Sequence, residues 1–301
     1  MISTVVCDLC PRGCRLAPGR TGFCRARRAR TGATETSATH GNSEPSGNSG
    51  TAEPGIGTES LSYGKLTAAA LDPIEKKPLS HFYPGSKILS VGSFGCNLAC
   101  PFCQNHSISM TGAGCIETED RAPEAVAQDA ERLASAGNIG VAFTYNEPLI
   151  GYEFVYDAAI RVKARGLKTV LVTNGYLCKP YWEQILPLID AMNIDLKAYN
   201  TGFYKNIGGN VEIVKENIRL AAARCHVELT MLVIEGENDS GEEMAEMCEF
   251  IADISPEIPL HLSRFFPRYH YLDRRPTPIA ALHRLEKIAK EKLKYVVLGN
   301  V

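Results

Sequence analysis

The sequence has no apolar run long enough to cross a bilayer, and its first residues lack the apolar core of a secretory signal. A membrane-spanning helix is therefore not expected, and the cytoplasm is the expected compartment. Charge of one sign is also missing: 32 Lys and Arg stand against 34 Asp and Glu, a net of −2. General nucleic-acid binding needs a dense positive face, so nucleic acid is not an expected partner, and neither is a membrane. Residues 31–62 lack Lys and Arg altogether and hold one clear aliphatic pair, Ile56 and Leu61, among Gly, Ser, Thr, Ala, Glu, Asn and Pro. Such a stretch buries too little apolar surface to offset chain entropy and reads as a disordered, low-complexity linker. It separates a Cys-rich metal-binding module, 1–30, from a core domain, 63–301.

Cysteine, by contrast, is abundant. Eleven in a chain expected in a reducing compartment point to metal ligands and buried thiols ahead of disulfides. Cys115, Cys178, Cys225 and Cys248 have no metal-like spacing and read as ordinary thiols. Cys96, Cys100 and Cys103 stand in Gly-Cys-Asn-Leu-Ala-Cys-Pro-Phe-Cys-Gln-Asn. A loop this short brings three thiolates to one soft metal centre, and three protein ligands on a four-iron cubane leave one iron open for chemistry. Structural zinc closes with four ligands and a redox dithiol needs only Cys-x2-Cys, so the triplet fits neither well. The apolar strand 87–91 runs through Gly92, Ser93, Phe94 and Gly95 into the first cysteine, which puts the loop at a strand's C-terminal end.

The other four, Cys7, Cys10, Cys14 and Cys24, lie within eighteen residues, with Gly19 and Gly22 supplying turns for a metal knuckle. Zinc, an auxiliary iron–sulfur cluster and a loose group of thiols all stay open as readings. Seven arginines between Arg12 and Arg30 interleave with the knuckle against Asp8 alone. They read as a solvated surface or as a face for an acidic or phosphorylated partner.

From residue 87 onward strand and helix patterns alternate. Strands are expected at 87–91, 139–143, 168–172, 191–194, 227–234 and 259–265, and helices at 123–136, 149–165, 180–189, 211–224, 241–254 and 278–292. Six such units imply an α/β fold in which a parallel sheet curls into a partial, TIM-like (β/α)6 barrel with its helices outside. Stretches 66–71 and 295–298 add two candidate edge strands.

The Cys-x3-Cys-x2-Cys loop with Phe102 before its last cysteine resembles the signature of the radical SAM superfamily. Together with the N-terminal knuckle, residues 72–82, Tyr145-Asn146-Glu147-Pro148 and the ending 295–301, it makes the chain look like the AmmeMemoRadiSam subfamily, related to the pyruvate formate-lyase activating enzymes. Two departures are the low-complexity stretch after Cys24 and the lack of a further Cys-x2-Cys tail. The resemblance implies a radical SAM barrel with a [4Fe-4S] cluster on Cys96, Cys100 and Cys103 and S-adenosylmethionine on the open iron. It implies a one-electron donor such as flavodoxin or ferredoxin, and a 5′-deoxyadenosyl radical that takes hydrogen from a substrate, with no residue required as acid or base. The hydrogen donor stays open between a protein, as for a glycyl-radical activase, and a small molecule. A non-catalytic iron–sulfur or zinc scaffold is the reading from a different class.

The same resemblance assigns cofactor-binding residues at the strand ends. Glu147 belongs to a segment similar to Gly-Gly-Glu-Pro, whose backbone approaches the cofactor's amino group; Tyr145 and Asn146 replace the glycines, and Asn tolerates unusual backbone angles. Taken alone, Asn146-Glu147-Pro148 is an ordinary helix start, and Thr173-Asn174-Gly175, which contributes Asn174, is a turn. Asp195 and Lys197 alternate onto one side of their strand; the resemblance puts them in the cofactor pocket, where a structural ion pair is the plainer account. Asn238 and Asp239 fall in a loop implied to lie under the adenine, or they cap the next helix. His261 is implied to reach the ribose, or it is a satisfied core histidine.

Overall fold

A computed structural model describes residues 4–31 and 57–301; residues 32–56 of the expected linker lie outside the described residues. Short runs rich in β-branched and aliphatic side chains form eight strands of one sheet: β1 Ala68–Pro73, β2 Lys87–Gly92, β3 Asn138–Phe143, β4 Lys168–Thr173, β5 Ala191–Asp195, β6 His226–Val233, β7 Leu260–Arg264 and β8 Val296–Gly299. Their spatial order follows the chain order from one edge to the other. All neighbours are parallel except β1 and β2. Six crossovers that each step one strand the same way curl such a sheet. β1 and β8 remain unpaired with each other, so the barrel is partial.

Six helices carry the crossovers: α1 Pro123–Arg132, α2 Tyr152–Ala164, α3 Lys179–Ile185, α4 Val211–Ala222, α5 Gly241–Ile254 and α6 Ile279–Ala289. Each presents an apolar stripe at helical spacing; in α5 it is Met244, Met247, Cys248 and Ile251. These stripes pack on the outward strand residues, among them Phe143, Leu171, Met192, Ile194, Met231 and Leu262, in the main core. Each fully buried aliphatic there contributes roughly 2 kcal/mol. The expected helices at 123–136, 149–165 and 180–189 each include a 3₁₀ turn, Leu133–Ala136, Pro148–Gly151 and Leu186–Leu188.

The inward face is different. A second core of Ala142, Val170 and Ala191 meets Ile74, Leu79, Phe82 and Ile88, most of them from the β1–β2 connection that crosses beneath the lumen. Glu228, with 0% exposure, fastens that connection: its carboxylate accepts from Ser80 N at 2.9 Å, His81 N at 2.7 Å, His226 Nε2 at 2.9 Å and His261 Nε2 at 2.6 Å. Burial alone would raise this carboxyl, but the two imidazoles and two amides hold it well below the usual carboxylate range.

One expectation needs correction. Thr58–Ser60, inside the stretch read as linker, is a strand paired antiparallel with Arg27–Ala29. Its hold comes from across the ladder, through Arg28–Glu59 at 2.6 Å and Arg27 Nη2 to Thr58 Oγ1 at 3.1 Å. Three polar residues carry no periodicity, so no local pattern announces them.

Candidate metal centre and active site

The loop from β2 enters the triplet through Gly95, whose φ of +86° and tight approach to the Cys24 carbonyl exclude any side chain: a Cβ there would collide with it. The cysteines then follow a chain pinned by Gly95 N to Ile108 O at 2.9 Å, Ala99 N to Ile207 O at 2.9 Å and Cys103 N to Cys100 O at 3.2 Å. Burial pushes the Cys100 thiol up to about 12 and Cys96 well above its usual value, while Lys197 draws Cys100 and Cys103 the other way. Thiols in this state ionise when a metal takes the proton's place. As the side chains stand, no group of three or more His, Cys, Asp or Glu among the described residues is placed to hold a metal ion, so either cysteine set would have to turn its thiols inward to bind one, and all eleven cysteines are free of disulfides.

Strand ends β4 and β5 bring three of the expected residues, Asn174, Asp195 and Lys197, against this loop. Asn174 donates from Nδ2 to Asn97 Oδ1 at 2.8 Å and to Cys96 Sγ at 3.7 Å, and its Oδ1 accepts from Tyr176 N. Lys197 pairs with Asp195 at 2.9 Å. Burial works against the Lys197 ammonium, but Asp195 and the Cys100 thiol outweigh it and hold the group above the usual lysine range. The Lys197 carbonyl accepts from Asn238 Nδ2 at 2.7 Å, so Asn238 ties two loops together; the N-cap of α5 is Ser240, not Asn238 or Asp239.

Glu147 lies behind this surface. Its carboxylate accepts from Leu149 N at 3.0 Å, Thr173 Oγ1 at 2.8 Å and Asn174 N at 2.8 Å, capping the Pro148–Gly151 turn and locking β3 to β4. The glycine-like backbone survives at Tyr145, with φ +72°, and not at Asn146. Tyr145 is held there by its hydroxyl on Asp72 at 2.7 Å and by Lys77 4.7 Å from its ring. Asn146 stitches the loop instead, accepting from Ser93 N and donating to the Phe94 and Gly95 carbonyls.

His261 faces the lumen as alternation requires, in register with Thr230 and Asp195. Its Nε2 is on Glu228 at 2.6 Å. Thr230 Oγ1, in register between Asp195 and His261, and Asn193 Oδ1, deeper in the lumen in register with Glu228, are buried with no hydrogen-bond partner among the described residues. An orphaned hydroxyl between a carboxylate–ammonium pair and an imidazole suits a polar, hydroxyl-bearing occupant. Three thiols beside an ammonium likewise suit an anionic iron–sulfur centre, so the residues present fit both groups.

Some of the site was not foreseen. Asn105 donates from Nδ2 to the Tyr145 carbonyl at 2.7 Å. Phe102 packs against Phe203 and Tyr271, His270 N reaches Pro101 O at 2.9 Å, and Tyr269 stacks on His106 at 4.7 Å. The segment after β7 thus clamps the cluster loop. Only the aromatic density of Tyr269-His270-Tyr271 hinted at this in the sequence.

Comparison with known proteins agrees with this geometry. An uncharacterized protein of Methanocaldococcus jannaschii is 36% identical over 301 residues, covering 99% of this chain and 81% of its own. The pyruvate formate-lyase 1-activating enzyme of Escherichia coli is 28% identical over 165 residues, 53% of this chain and 66% of that enzyme. In fold, the chain is similar to Streptococcus suis SuiB bound to its precursor peptide SuiA, with a TM-score of 0.56 at 14% identity over 69% of this chain and 47% of SuiB. The family model of the radical SAM superfamily matches residues 90–251, from β2 through most of α5. With the thiol triplet at the head of that span, the chain belongs to the radical SAM superfamily and is homologous to pyruvate formate-lyase activating enzymes.

Proposed function

We propose that this chain is a radical SAM oxidoreductase that takes hydrogen from a protein substrate, in the manner of a glycyl-radical activase. When bound on Cys96, Cys100 and Cys103, the [4Fe-4S] cluster supplies one electron, received from a flavodoxin or ferredoxin, that splits S-adenosylmethionine into methionine and a 5′-deoxyadenosyl radical. The observation that carries the reading is the triplet at the strand ends with the Lys197–Asp195 pair beside it. Lys197 offsets the negative charge that thiolates bring into a buried loop. Thr230, Asn193 and His261 offer the lumen groups for the nucleoside, and Glu147, Asn174 and Asn97 hold the loop in place. The protein substrate is supported by the similarity to the Escherichia coli activating enzyme.

The test is product formation by the anaerobically reconstituted, dithionite-reduced chain with S-adenosylmethionine. Chromatography should show 5′-deoxyadenosine for the parent and none for Cys100→Ala. Equal yields from both, or none from either when flavodoxin is supplied, would reject the reading.

A further inference from the structure

We propose that Cys7, Cys10, Cys14 and Cys24 bind one zinc-class divalent cation as a closed tetrathiolate, and that this ion braces the loop carrying Cys96. The four side chains line a single small cavity together with Arg27. Three come from a knuckle inside the hairpin of Val5–Val6 and Arg15–Leu16, closed by Cys7 N to Cys14 O at 2.9 Å and Gly13 N to Cys10 O at 3.2 Å. Cys24 is returned to them by the turn that Gly22 N to Arg27 O closes at 2.8 Å. Four cysteines around one small cavity, with Cys7 and Cys10 at Cys-x2-Cys spacing, are the donor set of a structural zinc site.

A second observation points to an anionic occupant. Arg27 is 1% exposed; its Nη1 and Nη2 each meet a Glu153 oxygen at 2.9 Å, yet its Nε has no hydrogen-bond partner among the described residues. A buried guanidinium edge without an acceptor is costly. Four thiolates around a divalent ion carry a net charge of −2, and their sulfurs would supply both the acceptor and the opposing charge.

The bracing follows from what flanks the cysteines. The Cys24 carbonyl abuts Gly95, and Arg12 Nε donates to Asn97 O at 2.5 Å. Leu9 O accepts from Cys178 N at 3.0 Å. Asn97 in turn donates to Tyr176 O at 2.6 Å and accepts from Asn174. Residues next to Cys10 and Cys24 therefore grip residues next to Cys96.

The experiment uses the full chain with Cys96→Ser, Cys100→Ser and Cys103→Ser, so that only the N-terminal set remains and the outcome is independent of radical chemistry. Titrated anaerobically with Co²⁺, it should bind one ion per chain, show the intense visible bands of tetrahedral thiolate ligation, and release the ion to Zn²⁺. Adding Cys24→Ser or Cys14→Ser should abolish stoichiometric binding, and Arg27→Gln should weaken it about tenfold. Amide hydrogen exchange over residues 95–104 should slow when Zn²⁺ binds. Failure to bind one ion, binding indifferent to both cysteine variants, or assembly of an iron–sulfide cluster in preference to zinc would overturn the site. Unchanged exchange over 95–104 would overturn the bracing.

Discussion

The chain holds two sets of neighbouring cysteines, and they differ in every respect that decides chemistry. The triplet follows a strand of the curled sheet, has three cysteines, and stands beside the Lys197 ammonium with orphaned polar atoms in the lumen nearby. The N-terminal set has four cysteines in a hairpin module, behind a fully buried arginine already engaged by Glu153. Three ligands leave a metal centre a free position and four close it. The lesson is that ligand number and the charge beside it, more than cysteine content, separate a reactive centre from a structural one.

The largest effect should come from the triplet. Cys100→Ala is expected to reduce 5′-deoxyadenosine formation to the level of a protein-free control, read by chromatography, whereas loss of an N-terminal cysteine should not. Lys197→Met tests the neighbouring charge next. It leaves Asp195 without its partner, and the nucleoside rate should fall about a hundredfold, or roughly 3 kcal/mol. Cys14→Ser should cost about tenfold in the same assay, because the cluster loop loses its brace but keeps its ligands; a full loss would erase the distinction between the two sets.

Glu228→Gln tests the lumen away from both cysteine sets, where Glu228 holds His261. Its folded-state pKa is depressed, so its contribution to stability is present above the ordinary carboxylate pKa and is lost as pH falls through that value toward the folded one. The parent's denaturant midpoint should therefore drop below about pH 4.5. The variant should be about 3 kcal/mol less stable at neutral pH, with a flatter profile in acid. Nucleoside formation per folded molecule should fall only a few-fold, because His261 loses the carboxylate that orients it but the triplet and Lys197 are untouched.

Much of this was legible in the sequence because period and spacing are local. The six β/α units, the triplet on a strand end and the shared side of Asp195 and Lys197 all follow from alternation. What escaped depends on contacts distant in sequence. Position marks Glu147 as part of a cofactor-facing segment, but that Thr173 and Asn174, 26 and 27 residues away, engage its carboxylate has no local sign. The left-handed backbone at Tyr145 rests on Asp72, 73 residues earlier. The strand Thr58–Ser60 exists only because Arg27–Ala29 offers it a partner.

The measurement closest to the central claim is the electron paramagnetic resonance spectrum of the reconstituted, reduced protein before and after S-adenosylmethionine. A triplet that leaves one iron open predicts a cluster signal whose shape shifts when the cofactor is added, in the parent and in Cys14→Ser alike, and no such signal in Cys100→Ala. A cluster signal indifferent to the cofactor would contradict the open iron and, with it, the assignment of chemistry to Cys96, Cys100 and Cys103.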